Sequence, residues 1–376
     1  MSEPLPDLKP VINAAGTMTA LGAAAANREA IEPAAAIRTR AVDMSELHGA
    51  ASLAIAQATG AEAGCVTACA AAGISVAVAA AMTGDDLARI ERLPDTGGLK
   101  NEVVLQKGHN CHFSGEISQM VRLAGATVVE IGAVNRARGY QLEGALGERT
   151  AAALYVVSHQ TSQAGMIGLE EFCTICQARG VPVLVDAAAE YDLQGFLARG
   201  ADLAIYSAHK FLGGLTAGII AGREDLVRAC TLQECGIGRA MKVGKEGIAS
   251  TIAVLQRWQA LDKEALWRRE TARAARAAGK LQDIAGLAVS LEADPTGNPV
   301  TRVRIEVDAA HTGIDAGALS LGLAAGNPAV HVRAHDSDPG SILLDPCNLS
   351  DADMDHVCRC IAESVAASRS GIAPAG

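Results

Sequence analysis

Two short aliphatic runs, each ending abruptly in polar residues, constrain the fold of this chain more than any other feature. The first is 181–186, Val-Pro-Val-Leu-Val-Asp, and the second is 202–207, which leads into Lys210. A continuous aliphatic run bounded by polar residues is typical of a parallel strand buried on both faces. The pair therefore predicts an α/β fold in which the carboxyl ends of neighbouring strands carry the functional side chains.

The residues at these two strand ends have complementary chemistry. Asp186 is a carboxylate, Lys210 is an amine beside the flexible pair Gly213 and Gly214, and Ser207 offers a hydroxyl that could donate to a phosphate. An aldehyde cofactor with a pyridine ring requires an amine that forms a Schiff base and a carboxylate that keeps the ring nitrogen protonated. In the alternative interpretation, Asp186 caps a helix and Lys210 is a surface lysine.

A strand that ends in Asp, followed by Ser-x-His-Lys at 207–210, resembles the pyridoxal-phosphate enzymes of the aspartate-aminotransferase fold, known as fold type I. The resemblance implies a large domain with a mostly parallel seven-stranded sheet flanked by helices, and a smaller C-terminal α/β domain. It also implies that the cofactor is pyridoxal 5′-phosphate. The residues implied to bind it at these strand ends are Lys210, Asp186, Ser207 and His209.

The expected domain organisation follows from the same resemblance and from the length of 376 residues, which suits two domains. We expect an N-terminal arm at 1–45, a large cofactor-binding domain at 46–250, and a linking helix with a small domain at 251–376. The linking helix is predicted as one long helix from 247 to about 285.

A segment of small residues lies in the N-terminal half. A helix predicted to end at Gly60 is followed by a turn of small residues and a second helix at 76–82. Small side chains at a helix N-terminus let backbone N–H groups approach an anion, and the resemblance places the cofactor phosphate there. A tight helix-packing turn is the alternative. The predicted phosphate ligands are Ala68, Cys69, Ala70 and Ala71, with Thr67 and Ser75 as further candidates.

Two loops that follow predicted strands carry candidate cofactor contacts. After the strand 102–106, the resemblance implies one flat side chain over the pyridine ring, and His112 is the first candidate, ahead of His109 and Phe113. Zinc binding by the two histidines is the alternative, although no third ligand is evident.

The strand predicted at 153–157 ends in a polar tip that contains His159 and Gln160. The resemblance implies that this tip presents a group to the phenolic oxygen of the cofactor or to the substrate. His159 could also relay protons, because the ordinary pKa of histidine is near ~6.5. A simple turn is the alternative.

Two further motifs are similar to a narrower branch, the selenocysteine-synthase-like enzymes, and within it to the D-glucosaminate-6-phosphate ammonia-lyase group. One is the opening 12–22, Ile-Asn-Ala-x-Gly-Thr-x-Thr-x-Leu-Gly, and the other is the Gly-x-Gly-Arg-x-x-Lys run at 236–242. The branch implies substrate contacts from the opening and anion binding by the cations. The alternatives are a packed arm that satisfies its own backbone and an exposed basic loop. The candidate residues are Asn13, Thr17, Thr19, Arg239 and Lys242.

An arginine in the C-terminal third completes the candidate set. Arg333 ends a predicted strand at 328–333, and the resemblance implies that it binds the substrate α-carboxylate through a bidentate pair. Pairing with a structural carboxylate such as Asp345 is the alternative.

The charge balance argues against a main role in nucleic-acid binding. The chain has 42 acidic and 32 basic residues, a net charge of −10, and only 3% aromatic residues for stacking on bases.

The opening residues lack a secretory leader, and no apolar run has membrane length, so we expect a cytoplasmic protein with reduced cysteines and no membrane partner. Cys173 and Cys176 are predicted as core thiols on a helix rather than a metal or redox pair.

These features lead to one functional hypothesis with open alternatives. We expect a lyase that performs α,β-elimination on a small β-substituted amino acid, giving a keto acid and ammonia, with Lys210 as base, Asp186 as partner of the ring nitrogen and His159 as a further catalytic residue. We expect a homodimer or a larger homo-oligomer and no metal. The alternatives are β-replacement of the selenium-transferase type, racemisation, transamination and a cofactor-binding regulator without turnover. The acidic charge and the absence of a long segment before Asn13 argue against a tRNA substrate.

Overall fold

A computed structural model describes residues 8–334 and 340–370. The chain divides into two compact units: a larger one, Ala26–Leu261, and a smaller one formed by the chain up to Ala25 together with the chain from Asp262 onwards. These limits differ from the expected limits at 45 and 250, because the helix Lys245–Ala260 packs against the helices Arg28–Arg38 and Met44–Thr59 within the larger unit. The opening residues 1–7, on which the expectation about a leader rests, lie outside the described residues.

The larger unit contains a seven-stranded sheet, as expected, with the strand order β2-β8-β7-β6-β5-β3-β4. Strands β3 to β7 run parallel to one another, and β8 runs antiparallel to both of its neighbours. The strands are β2 (Ala63–Thr67), β3 (Glu102–Gln106), β4 (Thr127–Ile131), β5 (Thr150–Val156), β6 (Val183–Asp186), β7 (Leu203–Ser207) and β8 (Gly218–Gly222).

Helices flank this sheet and complete the hydrophobic core of the larger unit. They are α1 (Arg28–Arg38), α2 (Met44–Thr59), α3 (Ala70–Thr83), α4 (Leu87–Arg92), α5 (Ile117–Leu123), α6 (Gly139–Ala145), α7 (Leu169–Gln177), α8 (Gly195–Ala198), α9 (Glu224–Leu232) and α10 (Lys245–Ala260). Helix α3 is almost wholly buried, because small and aliphatic residues surround its axis and pack on the sheet. Cys173 and Cys176 lie buried on α7, which confirms the prediction that they belong to a helix core.

The sheet topology brings several loops to one edge. Strands β3, β5, β6 and β7 are parallel, and β2 has the same direction because β8 is antiparallel to both β2 and β7. The carboxyl ends of these strands therefore meet at one edge of the sheet, where ligands bind in open α/β folds.

The smaller unit has its own core and two small sheets. Strand β1 pairs in parallel with β11, and β10 lies between β9 and β12. Its elements are β1 (Val11–Ala14), α11 (Lys263–Leu281), β9 (Leu287–Ala293), β10 (Thr301–Val307), α12 (Ala309–Thr312), α13 (Ala316–Ala325), β11 (Ala329–Val332), β12 (Ser341–Leu344) and α14 (Asp351–Arg369).

Three predicted elements differ from the structure. The segment after Gly60 is not only a turn, because it contains strand β2, and α3 begins at Ala70 instead of 76. The long helix from 247 to about 285 is two helices, since Leu261 leaves the helical conformation and the carboxylate of Asp262 caps α11 by accepting from the N–H of Ala265 at 2.9 Å.

In the described part of the chain, no helix is long and apolar enough to cross a membrane.

Candidate active site

The loop that carries Lys210 is a tight turn directly after β7. The N–H of Gly213 donates to the carbonyl of Lys210 at 3.0 Å, and the N–H of Gly214 donates to the carbonyl of Ala208 at 2.8 Å. Gly213 has φ +68°, a left-handed conformation that favours glycine. The two glycines that looked flexible in the sequence therefore fix the loop.

Asn27, in the segment before α1, binds the Lys210 loop through two hydrogen bonds. Its backbone N–H donates to the carbonyl of Gly213 at 2.8 Å, and its side-chain amide donates to the carbonyl of Leu212 at 2.9 Å. A Cβ on Gly213 would lie 2.3 Å from Asn27 Nδ2, so the contact leaves no room for a side chain. No motif in the sequence indicates this role, because Asn27 lies far from Gly213 along the chain.

Asp186 is buried at the end of β6, as predicted. Burial raises the pKa of its carboxyl group to about 6, and this rise is opposed by the positive charge of Lys210 and by a hydrogen bond from the backbone N–H of Ala188. Its Oδ1 atom has no hydrogen-bond partner among the described residues. A buried carboxylate oxygen without a partner is costly unless a ligand supplies the missing donor.

Lys210 lies in the same electrostatic environment as Asp186. Burial lowers the pKa of its amine, while the carboxylates of Asp186 and Glu190 and the Cys111 thiol act in the opposite direction. A lowered pKa gives the neutral amine that a nucleophile or a base requires. Glu190 and Cys111 were not among the predicted site residues. Glu190 occurs in no motif that indicates a site, and Cys111 lies between His109 and His112, which drew the prediction in that loop.

The predicted phosphate cradle is the turn between β2 and α3. Cys69 is the N-cap of α3, and its Sγ accepts from the N–H of Ala72 at 3.4 Å. The Thr67 hydroxyl donates to the carbonyl of Cys69 at 2.9 Å. A Cβ on Gly218 of β8 would lie 2.3 Å from that same carbonyl oxygen, so the turn packs directly on the strand.

Two of the candidates near the cradle have structural roles. Thr67 uses its hydroxyl hydrogen within the turn, and Ser75 is fully buried and donates to the carbonyl of Met120 at 2.7 Å. Ser75 is therefore not a phosphate ligand. The half-buried residues Ala68, Cys69 and Ala71 lie at the start of α3, and Ala70 is buried; their role as phosphate ligands remains a prediction.

The Gly-Arg-Lys loop lies next to this cradle. The N–H of Ala68 donates to the carbonyl of Met241 at 3.0 Å, which ties the β2–α3 turn to the short 3-10 helix Ile237–Met241. Arg239 and Lys242 lie on either side of Met241 in the sequence, and both are exposed. Neither forms an ion pair with a residue that the structure describes, so both cations are available to an anion.

His109 is a core residue and not a candidate for stacking on a cofactor. It is fully buried, its Nδ1 accepts from the N–H of Val156 at 3.2 Å, and its ring meets the Tyr155 ring edge-on at 4.5 Å. Burial lowers its pKa to about 4, so it is neutral at physiological pH. His112 is exposed and Phe113 is half-buried against the core of the larger unit, and the predicted role of His112 stays a prediction.

The polar tip after β5 is a structured turn. The N–H of Gln160 donates to Ser158 Oγ at 3.2 Å, and the Thr161 hydroxyl donates to the carbonyl of Ser158 at 2.7 Å. Gln160 Oε1 is buried without a partner among the described residues, which is compatible with a ligand contact. His159 is half-buried on the same turn, and its catalytic role remains a prediction.

Ser207 and His209 flank Ala208 at the end of β7. Ser207 is buried, and its N–H donates to the carbonyl of Ala188 at 3.1 Å. Burial and the charge of Lys210 lower the pKa of His209, and a hydrogen bond with the backbone of Ala217 opposes them. His209 Nδ1 has no hydrogen-bond partner in the described chain.

In the smaller unit, Asn13 has a structural role. Its amide nitrogen donates to the carbonyls of Gly16 and Ala23 at 2.8 and 3.2 Å, and its oxygen accepts from the N–H of Ala15 at 3.0 Å. Asn348 donates to the same two carbonyls, both at 3.0 Å. These bonds favour the alternative interpretation, in which the side chain of Asn13 folds the arm, over a substrate contact.

The other two arm candidates are less constrained. Thr17 is half-buried and Thr19 is exposed at the start of a short 3-10 helix. Their role in substrate binding stays a prediction.

Arg333 is buried directly after β11, and its backbone exchanges two hydrogen bonds with Leu343. The carboxylate named as its alternative partner, Asp345, is held by other groups. Arg302 Nε donates to Asp345 Oδ2 at 2.7 Å, and the N–H of Cys347 donates to Asp345 Oδ1 at 3.0 Å. The sequence did not single out Arg302, although it alternates with apolar residues on a strand. The substrate role of Arg333 remains a prediction.

Comparison with known proteins identifies the family. Residues 11–324 match the family model described as SelA, L-seryl-tRNA selenium transferase. The chain belongs to this family.

Within the family, the chain is similar to proteins with different reported activities. It is 38% identical over 347 residues to a D-glucosaminate-6-phosphate ammonia lyase of Salmonella typhimurium, covering 92% of this chain and 93% of that protein. It is 39% identical over 357 residues to a 5′-C-glycyluridine monooxygenase-decarboxylase of a Streptomyces species, covering 94% and 89%. An L-seryl-tRNA(Sec) selenium transferase of Desulfovibrio desulfuricans is 29% identical over 339 residues, covering 77% and 68%.

Solved structures agree with the fold. The structure of a D-glucosaminate-6-phosphate ammonia-lyase superposes with a TM-score of 0.86 at 36% identity, covering 96% of this chain and 97% of that one. A serine palmitoyltransferase of Sphingomonas wittichii superposes with a TM-score of 0.58 at 16% identity, covering 96% and 88%, which supports the fold alone. The SelA-family chain has fold type I, and its cofactor is pyridoxal 5′-phosphate.

The residues of the larger unit fit this cofactor. Asp186 Oδ1 lacks a donor that a protonated ring nitrogen would supply. The buried amine of Lys210 matches the aldehyde of the cofactor. The N-terminus of α3, against which Gly218 packs, matches the phosphate.

Proposed function

We propose that this SelA-family chain is a lyase that releases ammonia by α,β-elimination from an amino acid with a β-hydroxyl or another β-leaving group, giving a keto acid. The observation that carries this proposal is the convergence of Lys210 and Asp186 at the carboxyl ends of β6 and β7, where each carries a shifted pKa caused first by burial. The similarity over most of its length to an ammonia lyase supports elimination as the reaction.

The chain's own residues contribute distinct steps. When bound, pyridoxal phosphate supplies an electron sink for the substrate's Cα. Asp186 would hold the proton on the ring nitrogen of the bound cofactor, and the neutral amine of Lys210 would accept the Cα proton of the substrate. The N-terminus of α3 would hold the cofactor phosphate through backbone N–H groups and the helix dipole. His159 and Gln160 orient the reacting groups from the turn after β5.

We also propose a phosphorylated sugar amino acid as the substrate class. D-glucosaminate 6-phosphate, named for the Salmonella relative, carries an amine next to its carboxylate, a hydroxyl on the neighbouring carbon and a distant phosphate. Arg239 and Lys242, which are exposed cations beside the cradle, would bind such a second phosphate. A dicarboxylic amino acid is the alternative that these two cations would also accept.

We propose that the enzyme is cytoplasmic and forms a homodimer or a larger homo-oligomer. The exposed apolar side chains of α1 and α2 support an association of copies, since Ile31 is 48% exposed and Leu53 is 67% exposed. Sedimentation equilibrium tests this assembly, and a monomer at micromolar concentration would contradict it.

The role of Lys210 is tested by trapping the cofactor. The purified enzyme with pyridoxal phosphate should show a visible absorbance band that borohydride removes, and digestion with mass spectrometry should locate the reduced adduct on Lys210. Lys210→Ala should lose both the band and turnover, whereas Lys280→Ala, on α11 in the smaller unit, should keep both. An adduct on another lysine would contradict the assignment.

A further inference from the structure

The loop after β6 contains a buried carboxylate that the proposed mechanism has not used. Glu190 is only 3% exposed, although carboxylates are almost never fully buried without a reason. Its backbone N–H donates to the carbonyl of Ala187 at 3.0 Å, which closes a turn directly after Asp186. The burial of a charge at this edge points to a function.

Backbone contacts join this loop to the segment that carries Lys210. The N–H of Ala187 donates to the carbonyl of Ile205 at 2.9 Å, and the N–H of Ser207 donates to the carbonyl of Ala188 at 3.1 Å. The segment that follows β6 therefore continues to pair with β7 up to the end of that strand.

Aromatic contacts join the residues that directly follow Glu190 and Lys210 in the chain. The rings of Tyr191 and Phe211, the next residues along each segment, stack at 4.7 Å with an interplanar angle of 24°. Trp258 of α10 packs edge-on against both rings, at 6.0 and 5.0 Å. Because Tyr191 and Phe211 are stacked, the segments that carry Glu190 and Lys210 approach one another at this point.

The charged and titratable groups around Lys210 come from three elements. Asp186 lies at the end of β6, Cys111 in the loop after β3, and His209 next to the lysine, in addition to Glu190. Asp186 would pair with the ring nitrogen of the bound cofactor, and burial raises the pKa of Cys111 to about 12, which keeps the thiol neutral. Glu190 is therefore the second carboxylate whose negative charge raises the pKa of Lys210.

We propose that Glu190 is a positioning residue for Lys210, whose carboxylate stabilises the cationic form of the lysine nitrogen and holds it beside Asp186. This inference rests on the proposed function. The Lys210 nitrogen must alternate between a protonated and a neutral form. A neighbouring negative charge must therefore stabilise the protonated form without preventing the loss of the proton. The lowered pKa of Lys210 shows that burial outweighs the two carboxylates, so the neutral form stays accessible.

The test is a pH titration of the visible absorbance of the holoenzyme without substrate, which reports the protonation of the Lys210 nitrogen in its bond to the cofactor. Glu190→Gln should lower the midpoint of this titration by about one pH unit, because the variant loses a negative charge that favours the protonated Lys210 nitrogen. The acid limb of the kcat profile should move in the same direction. Asp192→Asn, in the same loop but with a side chain that is 53% exposed, is the matched control and should leave the midpoint unchanged.

A conservative variant guards against misfolding. Glu190→Asp keeps the negative charge but, because its side chain is shorter, moves that charge away from Lys210. The midpoint of its pH titration should therefore lie between those of the wild type and Glu190→Gln. If Glu190→Gln does not fold, the downward shift in Glu190→Asp decides the question. An unchanged midpoint in the folded variants, with the cofactor band intact, would overturn the role of Glu190 alone. A wild-type protein without a cofactor band would overturn the proposed function, and this inference with it.

Discussion

At the scale of single residues, burial decides the chemistry of the site more than direct ion pairing does. Burial is the first cause of the pKa shifts of Asp186, Lys210 and His109, and it raises the first while lowering the other two. Each shift favours the neutral form. A ligand that brings opposite charge to Asp186 can therefore gain much more there than at an exposed carboxylate.

The first prediction concerns this carboxylate. Asp186→Asn should reduce turnover by about a hundredfold or more, because the ring nitrogen loses the charge that keeps it protonated. Steady-state assays with saturating cofactor measure the effect. Asp225→Asn, at an exposed position in the first turn of α9, is the control. Equal activity of Asp186→Asn and wild type would show that the ring nitrogen needs no carboxylate.

The second prediction concerns pH and cofactor affinity. Because the pKa of Asp186 is raised to about 6 in the absence of cofactor, the carboxyl group becomes protonated as the pH falls through this value. A protonated carboxyl cannot pair with a protonated ring nitrogen, so cofactor affinity should fall below about pH 6. Fluorescence titration with pyridoxal phosphate between about pH 5 and pH 8 measures this. A flat affinity profile would contradict the assignment.

A third prediction concerns Glu270 in the smaller unit, which is buried on α11 with Oε2 unpartnered among the described residues. Burial, followed by the charge of Asp345, raises its pKa to about 7. The folded state therefore binds this proton more tightly than the unfolded state. The group's contribution to stability is present at low pH and is lost as the pH rises through about 7.

Glu270→Gln removes this pH dependence. The variant should be more stable than the wild type by about 2 kcal/mol near pH 8, and the difference should shrink towards pH 5. Thermal unfolding at the two pH values measures the effect, with the exposed Glu264→Gln on the same helix as control. A variant that is less stable than the wild type near pH 8 would show that the carboxylate is ionised and favourably paired.

At the scale of elements, the aliphatic strands were predictable and the small-residue segments were not. The predicted strands 102–106 and 127–131 agree with β3 and β4 residue for residue, because β-branched and aliphatic residues fill them. Strand β2 was missed because its glycine, cysteine and threonine give no aliphatic run, and the strand forms only through pairing with β8. Tertiary pairing here overrides weak local preference.

The site shows the same division. Lys210, Asp186 and the β2–α3 turn could be predicted as candidates from the sequence, because their spacing relative to strand ends follows a known pattern, and the structure places them at the ends of β6, β7 and β2. Glu190, Asn27 and the buried partner of Asp345, Arg302, were not recognisable, since their roles depend on contacts across the fold. The motif around Asn13 was likewise recognisable, but its hydrogen bonds within the arm were not, and they favour a structural role for its side chain.

A fourth prediction tests the β2–α3 turn as an element. Gly218→Ala would place a Cβ 2.3 Å from the carbonyl oxygen of Cys69 and 2.5 Å from Thr67 Oγ1, so the turn must shift. Cofactor affinity should fall at least about tenfold, because the predicted phosphate ligands belong to that turn. Gly144→Ala, in α6 with open space around it, should have no such effect. Unchanged affinity in a folded Gly218→Ala variant would place the phosphate elsewhere.

At the scale of the whole molecule, the family contains relatives of nearly equal similarity that carry different activities. The chain is 38% identical to an ammonia lyase and 39% identical to a monooxygenase-decarboxylase, so overall identity does not select the reaction. A monooxygenase consumes oxygen and a decarboxylase releases carbon dioxide, whereas elimination of ammonia requires neither. The two reactions therefore differ in their products and in the need for oxygen, which makes the distinction experimental.

The most direct measurement is the product balance of the holoenzyme in oxygen-free buffer. D-glucosaminate 6-phosphate and a panel of D- and L-β-hydroxy amino acids serve as substrates, and Lys210→Ala serves as control. The account predicts equal amounts of ammonia and keto acid from one enantiomer without oxygen, and none from the variant. Turnover that requires oxygen and releases carbon dioxide from a glycyl nucleoside, with no keto acid from any member of the panel, would contradict elimination as the reaction of this enzyme.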